Sequence, residues 1–199
     1  AAEKKTVAID YREMAPARSY SDMFLDSKGN VDDEKARFSQ LSSGVPGTVA
    51  GMVHALENYG TLSLEKVITP ALELAAKGFI VSPHFYKSLK NASEQLSKID
   101  TTKKAYYQEN NEPMAIGELF IQKDMAWTLQ QIIKQGGKAF YQGAIAKKIV
   151  ADSQSHGGII SMQDMANYKA IERIPVIGDY RGYTIVSMPP PSSGGVHLI

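Results

Sequence analysis

The sequence predicts an α+β chain, mainly a layer of short helices with a few strands. Three observations predict it. Apolar residues recur at helical spacing in a series of central segments, each opened by a capping residue or closed by glycine. The longer strand-like apolar runs lie at the two ends, at residues 5–13, 171–177 and 183–188. The composition, 43% hydrophobic and 22% charged, is ordinary for a globular chain. So few strands do not make a sheet wide enough for this many helices, so most of the sheet is expected to lie outside these 199 residues.

Residues 5–13 read as a strand, ended by Ala15-Pro16-Ala17 because proline removes a donor from the ladder. Residues 21–40 are polar and charged, with a turn at Ser27-Lys28-Gly29-Asn30, and read as a surface excursion. Ser43-Gly44-Val45-Pro46-Gly47-Thr48 is a tight loop opening a helix. Val49, Met52, Val53 and Leu56 form one stripe of that helix, and Gly60 stops it. Ser63 caps a second helical run, which Pro70 is expected to restart or kink before it ends at Gly78. Ser82-Pro83 opens a third, a cap followed by proline at the first helical position. Its apolar face holds Phe85, Leu89, Ala92 and Leu96.

Ala105-Tyr106-Tyr107 is expected to be a short strand and Asn110-Asn111-Glu112-Pro113 a turn. Helices follow at 123–135, stopped by Gly136-Gly137, and at 144–155, closed by Gly157-Gly158. Ser161 and Asp164 have the spacing of a capping box with Asp in place of Glu, so a short helix is expected there. The two closing strands are joined through residues 178–182, and a proline-, serine- and glycine-rich loop at 189–195 leads into a last helix. No repeat at a fixed period is evident. The chain starts almost directly in a strand and stops inside an apolar run, Val196-His197-Leu198-Ile199, which reads as an internal segment of something larger.

The charge balance, 22 basic against 21 acidic residues, argues against a nucleic-acid or acidic-membrane partner. No apolar run is long enough to span a bilayer. No leader is read at Ala1, so a targeting segment of an exported protein would lie upstream. With no cysteine, thiol nucleophiles, disulfides and Cys-based zinc sites are excluded, and the compartment stays open. Asn91-Ala92-Ser93 fits the glycosylation triplet, a pattern common by chance.

Chemistry-bearing residues are few. Ser192 and Ser193 are the nearest thing to an exposed nucleophile loop, but no serine sits in a G-x-S-x-G elbow, and a turn before a helix explains them better. The four histidines, His54, His84, His156 and His197, have no second ligand at metal-binding spacing. His54 reads as a partly buried, hydrogen-bonded side chain, and His156 as a favourable charge at a helix C-terminus. The run Gly44 to Gly51 lacks the lysine of a P-loop; Gly47 and Gly51 instead share a helix face and admit a closely packed neighbour. Arg12 stands out. At a strand end it offers a rigidly placed planar fork for a carboxylate. Asp10 lies two residues away, on the same side of a strand, and is a possible brace; Glu13 points to the other side. These residues alone leave open an internal ion pair or a ligand contact, and composition favours the ion pair.

Taken in order, "VAIDYREMAP" from Val7, "MFLD" from Met23 followed by "GN", "SGVPGTVAGM" from Ser43, "YGTLSLEKVITPALELAAKGFIVS" from Tyr59, "FYQG" from Phe140 and "GGIISMQDMANYKAIERIPVIGDYRGYTIVSMPPPSSGG" from Gly157 closely resemble the large subunit of the gamma-glutamyltranspeptidase (glutathione hydrolase) family. The resemblance covers essentially the whole chain. It implies an N-terminal-nucleophile hydrolase with a four-layer αββα core, in which residues 1–199 are an internal segment of the large subunit, without its N-terminal region and without the small subunit. It implies an autoprocessed precursor whose small subunit carries a threonine nucleophile that cleaves the γ-glutamyl amide of glutathione or a similar compound. It implies that Arg12, in the D-x-R-E motif, binds the α-carboxylate of the γ-glutamyl group. No catalytic residue is then expected in this chain, which by itself would be inactive. Ser192 and Ser193 are not the family's substrate-binding serine pair, and no metal or cofactor is implied. The partner is the small subunit, and the location is periplasmic, secreted or extracellular. Two other readings stay in view: a cephalosporin-acylase-like amidase of the same fold, disfavoured by the intact motifs, and a non-catalytic helical scaffold.

Overall fold

Caps and glycines set most element boundaries in the structure, a computed structural model that describes residues 5–199. Strand β1 is Ala8–Asp10. Helix α1, Asp33–Phe38, is capped by Asp32, whose side chain accepts from the Lys35 N–H. Helix α2 is Thr48–Tyr59, closed at Gly60, and α3 is Leu64–Lys77, capped by Ser63. Strand β2 is Phe79–Ile80. Helix α4, Pro83–Leu96, has Ser82 as its cap, accepting from the Phe85 N–H at 3.2 Å. Helix α5, Asp100–Tyr106, strand β3, Leu119–Phe120, and helix α6, Lys123–Gln135, follow. The remainder is α7, Gly137–Tyr141; α8, Ala144–Ser155; α9, Met162–Asn167; β4, Ile171–Arg173; β5, Val176–Tyr180; β6, Tyr183–Ser187; and α10, Ser193–Leu198. The chain is mixed helix and strand, as the sequence predicts.

Several local expectations hold. Asp26 Oδ1 accepts from the backbone N–H groups of Lys28 at 2.8 Å and Asn30 at 2.9 Å, closing the expected surface turn with Gly29 at φ 81°. The capping box at α9 is complete: Ser161 Oγ accepts from the Asp164 N–H, and Asp164 Oδ2 accepts from the Ser161 N–H at 2.8 Å.

Others are corrected. Residues 105–107 are not a strand: Ala105 and Tyr106 end α5, and Tyr107 makes an isolated bridge with Pro113. The acidic Asp100 at the start of α5 and Lys103 and Lys104 near its end match the helix dipole and outweigh the β-propensity of two tyrosines. Pro70 does not restart α3, which runs through it. Proline cannot donate to the Lys66 carbonyl, but packing along α6 holds the helix together. The expected strand at 171–177 is two strands on different partners. Pro175 breaks the ladder, leaving Ile174 88% exposed between β4 and β5. The hairpin turn is tighter than expected: Arg181 and Gly182 alone form it, both at positive φ, the two-residue turn whose twist suits a hairpin.

The chain divides into two compact units. The smaller is Leu62–Gln135; the larger takes the chain up to Thr61 together with Gly136–Ile199. In the smaller unit α3 packs on α6, and β2 pairs antiparallel with β3. An aromatic cluster fills its centre, with Phe79 and Phe85 each 5.4 Å and Tyr106 5.5 Å from Phe120, ring centre to ring centre. Phe120 is 2% exposed, so most of its area contributes to hydrophobic stabilisation. In the larger unit Val45, Tyr141, Ala146, Val150, Ile160, Met165 and Tyr168 form the core, with Val49, Ala50 and Ile149 packed on it. There β1 pairs antiparallel with β4, and β5 with β6.

Candidate functional site

The register of β1 on β4 decides what Asp10 can reach. Asp10 lies opposite Ile171, which places Arg173 as its diagonal neighbour on the same face. Asp10 Oδ2 accepts from Arg173 Nε at 2.7 Å, and Asp10 Oδ1 accepts from the backbone N–H of Arg12 at 3.1 Å. The hydrogen bond from Arg173 is the main reason the Asp10 carboxyl is held below its ordinary range, against the opposing effect of burial. Asp10 therefore braces the backbone of Arg12, not its side chain. The expected Asp10–Arg12 side-chain pair does not form, because β1 ends at Asp10 and strand alternation no longer governs Arg12.

Arg12 is held at both of its backbone groups. Its N–H goes to Asp10, and its carbonyl accepts from the Tyr168 hydroxyl at 2.7 Å. Its guanidinium is only loosely engaged, with Nη1 3.4 Å from the Pro191 carbonyl and Nε 3.5 Å from Glu13 Oε1. The side chain is 57% exposed. It faces an open cleft of about 540 Å³ whose lining includes Glu13, Gly47, Thr48, Met188 and Ser192. Thr48 starts α2, so the positive end of that helix dipole adds to the charge of Arg12. The cleft is thus suited to a carboxylate.

Tyr168 is buried and stacks on Tyr141, with ring centres 5.6 Å apart and planes at 10°. Tyr141 in turn donates to the Pro46 carbonyl at 2.8 Å and accepts from the Ala50 N–H at 3.0 Å. Burial first, then the charge of the neighbouring groups, pushes the Tyr168 hydroxyl up to about 12, so it remains a donor at any working pH. The glycines of the 44–51 loop serve close packing, as expected. A Cβ on Gly47 would overlap the Tyr168 hydroxyl and the Tyr11 carbonyl, and one on Gly51 would overlap the Tyr11 ring.

Of the other candidates only Ser192 lines the cleft that Arg12 faces. Ser192 is the N-cap of α10 but its side chain makes no capping hydrogen bond, and Ser193 is the first residue of that helix. His54 is 30% exposed and lies 3.0 Å from Glu172, which also accepts from the Tyr59 hydroxyl. His156 ends α8, with Nδ1 2.9 Å from the Asp152 carbonyl. Among the described residues no three His, Cys, Asp or Glu side chains gather to hold a metal ion, and no helix is long and apolar enough to cross a membrane. Sequence reasoning missed Tyr168 and Arg173. They bond Arg12 and Asp10 from 156 and 163 residues further along, and no local pattern marks such partners.

The sequence profile described as gamma-glutamyltranspeptidase matches residues 1–199. The glutathione hydrolase proenzyme of Escherichia coli (strain K12) is 47% identical over 194 residues, covering 98% of this chain and 33% of its own length. The chain thus spans about a third of the length of the curated relatives it matches. Among solved structures, Helicobacter pylori gamma-glutamyltranspeptidase superimposes with a TM-score of 0.96 at 45% identity, over 100% of this chain and 57% of that one. Gamma-glutamyltranspeptidase from Pseudomonas nitroreducens, solved in complex with L-DON, gives 0.90 at 33% identity, over 98% of this chain and 56% of that one.

Proposed function

The chain belongs to the gamma-glutamyltranspeptidase family, and on that premise we propose that it supplies the carboxylate-binding side of a γ-glutamyl amide hydrolase and transferase. The complete enzyme takes glutathione or a related γ-glutamyl compound and passes the glutamyl group to water, an amino acid or a peptide. Residues 1–199 are a segment of its large subunit. A threonine at the amino end of a small subunit, cut from the same precursor, attacks the amide carbonyl; its α-amine takes the hydroxyl proton and returns it to the leaving amine. Water or an acceptor amine then releases the glutamyl group. The enzyme works in a periplasmic or extracellular space.

Arg12 grips the α-carboxylate of the glutamyl group. One observation carries this assignment. Asp10 is already bonded to Arg173, and the adjacent Glu13 meets Arg12 only at 3.5 Å with both side chains exposed, which leaves the guanidinium of Arg12 open to the cleft. A planar fork on a fixed backbone suits bidentate binding of a carboxylate.

The test is Arg12→Ala in the full-length, self-processed protein. Loss of a paired charge contact is expected to cost about 2–5 kcal/mol in kcat/KM for a γ-glutamyl donor. A normal donor KM and turnover would overturn the assignment. The same assay with glutaryl amides separates the amidase alternative, because those keep the terminal carboxylate and lack only the α-amine. A non-catalytic scaffold would turn over neither.

A further inference from the structure

We infer that Tyr168 and the Asp10–Arg173 pair form a positioning device that locks the backbone of Arg12 and so aims its guanidinium into the cleft. The inference rests on the assignment of Arg12 to the substrate carboxylate.

Arg12 sits between two pieces of ordered pairing. The β1–β4 ladder ends at Asp10, and the next backbone pairing is the bridge of Met14 with Val45, closed by hydrogen bonds of 3.2 and 2.8 Å. Between them side chains, not a neighbouring strand, satisfy Arg12: Asp10 takes its N–H and Tyr168 donates to its carbonyl. Each clamp is itself held. Arg173 fixes the Asp10 carboxylate at 2.7 Å from β4, and Tyr141 stacks on Tyr168. Gly47 leaves the room that the Tyr168 hydroxyl occupies.

The physical gain is entropic and geometric. A long arginine side chain loses less freedom on binding if its Cα is already fixed, and a bidentate contact tolerates little misplacement. Tyr168 lies just before β4 and Arg173 is its last residue, so one short segment sets both clamps. Neither side chain lines the cleft of about 540 Å³, but both line, together with Arg12, a second cleft of about 350 Å³, so an Arg12→Ala background is needed to separate an action through Arg12 from direct contact.

Tyr168→Phe keeps the ring that stacks on Tyr141 and removes only the hydroxyl. In the full-length, self-processed enzyme, a γ-glutamyl anilide is compared with its decarboxylated analogue, a 4-aminobutanoyl anilide. The variant is expected to raise KM for the carboxylated donor about tenfold, with little change in kcat, and to leave the analogue unaffected. Arg173→Lys, which keeps the charge but moves the donor, is expected to act in the same direction and covers a Tyr168 variant that fails to self-process. In an Arg12→Ala background neither change should add a further loss. If Arg12→Ala abolishes the preference for the carboxylated donor but Tyr168→Phe and Arg173→Lys do not reduce it, or reduce both donors equally, the positioning role is overturned and Arg12 stands. If Arg12→Ala leaves that preference intact, the assignment of Arg12 itself falls and the device with it.

Discussion

Asp10 gives its carboxylate to Arg173 across the β1–β4 pair, 2.7 Å from Nε, and touches Arg12 only through that residue's backbone N–H. Two arginines and two acids, Asp10 and Glu13, thus share the end of β1, but the one tight pair excludes Arg12. Its looser contacts to Pro191 and Glu13, at 3.4 and 3.5 Å, are weak enough for an incoming carboxylate to displace.

The Asp10–Arg173 pair makes stability pH-dependent in a defined sense. The folded-state pKa of Asp10 lies below its ordinary 3.8, so the pair's stabilisation is complete above that value and is lost as pH falls through the folded pKa. Arg173→Gln is expected to destabilise the full-length protein by about 1 kcal/mol at neutral pH, a small value because the Arg173 side chain is 39% exposed and water screens it. Urea titrations of both proteins should converge below pH 3.8. A constant gap down to lower pH would show that Arg173 stabilises by packing instead.

Arg12→Lys separates charge from geometry. Lysine keeps the positive charge but not the fork, and its ammonium is a compact point donor. Donor KM is expected to fall between those of the wild type and of Arg12→Ala, with folding and self-processing unchanged because the side chain is exposed. A Lys variant as good as the wild type would show that charge alone binds the donor.

Glycine substitutions should have opposite signs at two helical positions. A Cβ on Gly51 in α2 would enter the Tyr11 ring, so Gly51→Ala is expected to cost about 1–3 kcal/mol. A Cβ on Gly194 in α10 would meet only Ser192 Oγ, 3.9 Å away, so Gly194→Ala is expected to be neutral or to stabilise by up to about 1 kcal/mol. Thermal melts of both variants decide it, and equal effects would contradict the packing described.

Ser153 in α8 is 2% exposed, and among the described residues its hydroxyl has no hydrogen-bond partner. Burying an unpaired hydroxyl is unfavourable. Ser153→Ala is expected to stabilise by about 1 kcal/mol, read as a raised urea midpoint at unchanged slope. A marked loss of stability would reveal a partner for the hydroxyl.

What sequence alone determined about this protein was local or cumulative. The caps at Ser63, Ser82 and Ser161, the stop at Gly60 and the turn after Asp26 depend on residues within a few positions of one another, and all stand in the structure. The ordered series of motifs was enough to reach the family and to single out Arg12. Local patterns failed where partners decided the outcome: in α5, where charges at the helix ends prevailed over two tyrosines, and at Pro175, where one apolar run became two strands on different neighbours. Tertiary structure alone decided who pairs with whom at the site. Spacing put Asp10 beside Arg12, yet the β4 register brought Arg173 to Asp10, and the packing of α7 and α9 in the same core brought Tyr168 to the Arg12 carbonyl. Hydrogen bonds and ion pairs act over a few ångströms in space, and a separation of 156 or 163 residues carries no trace of that closeness until the chain folds.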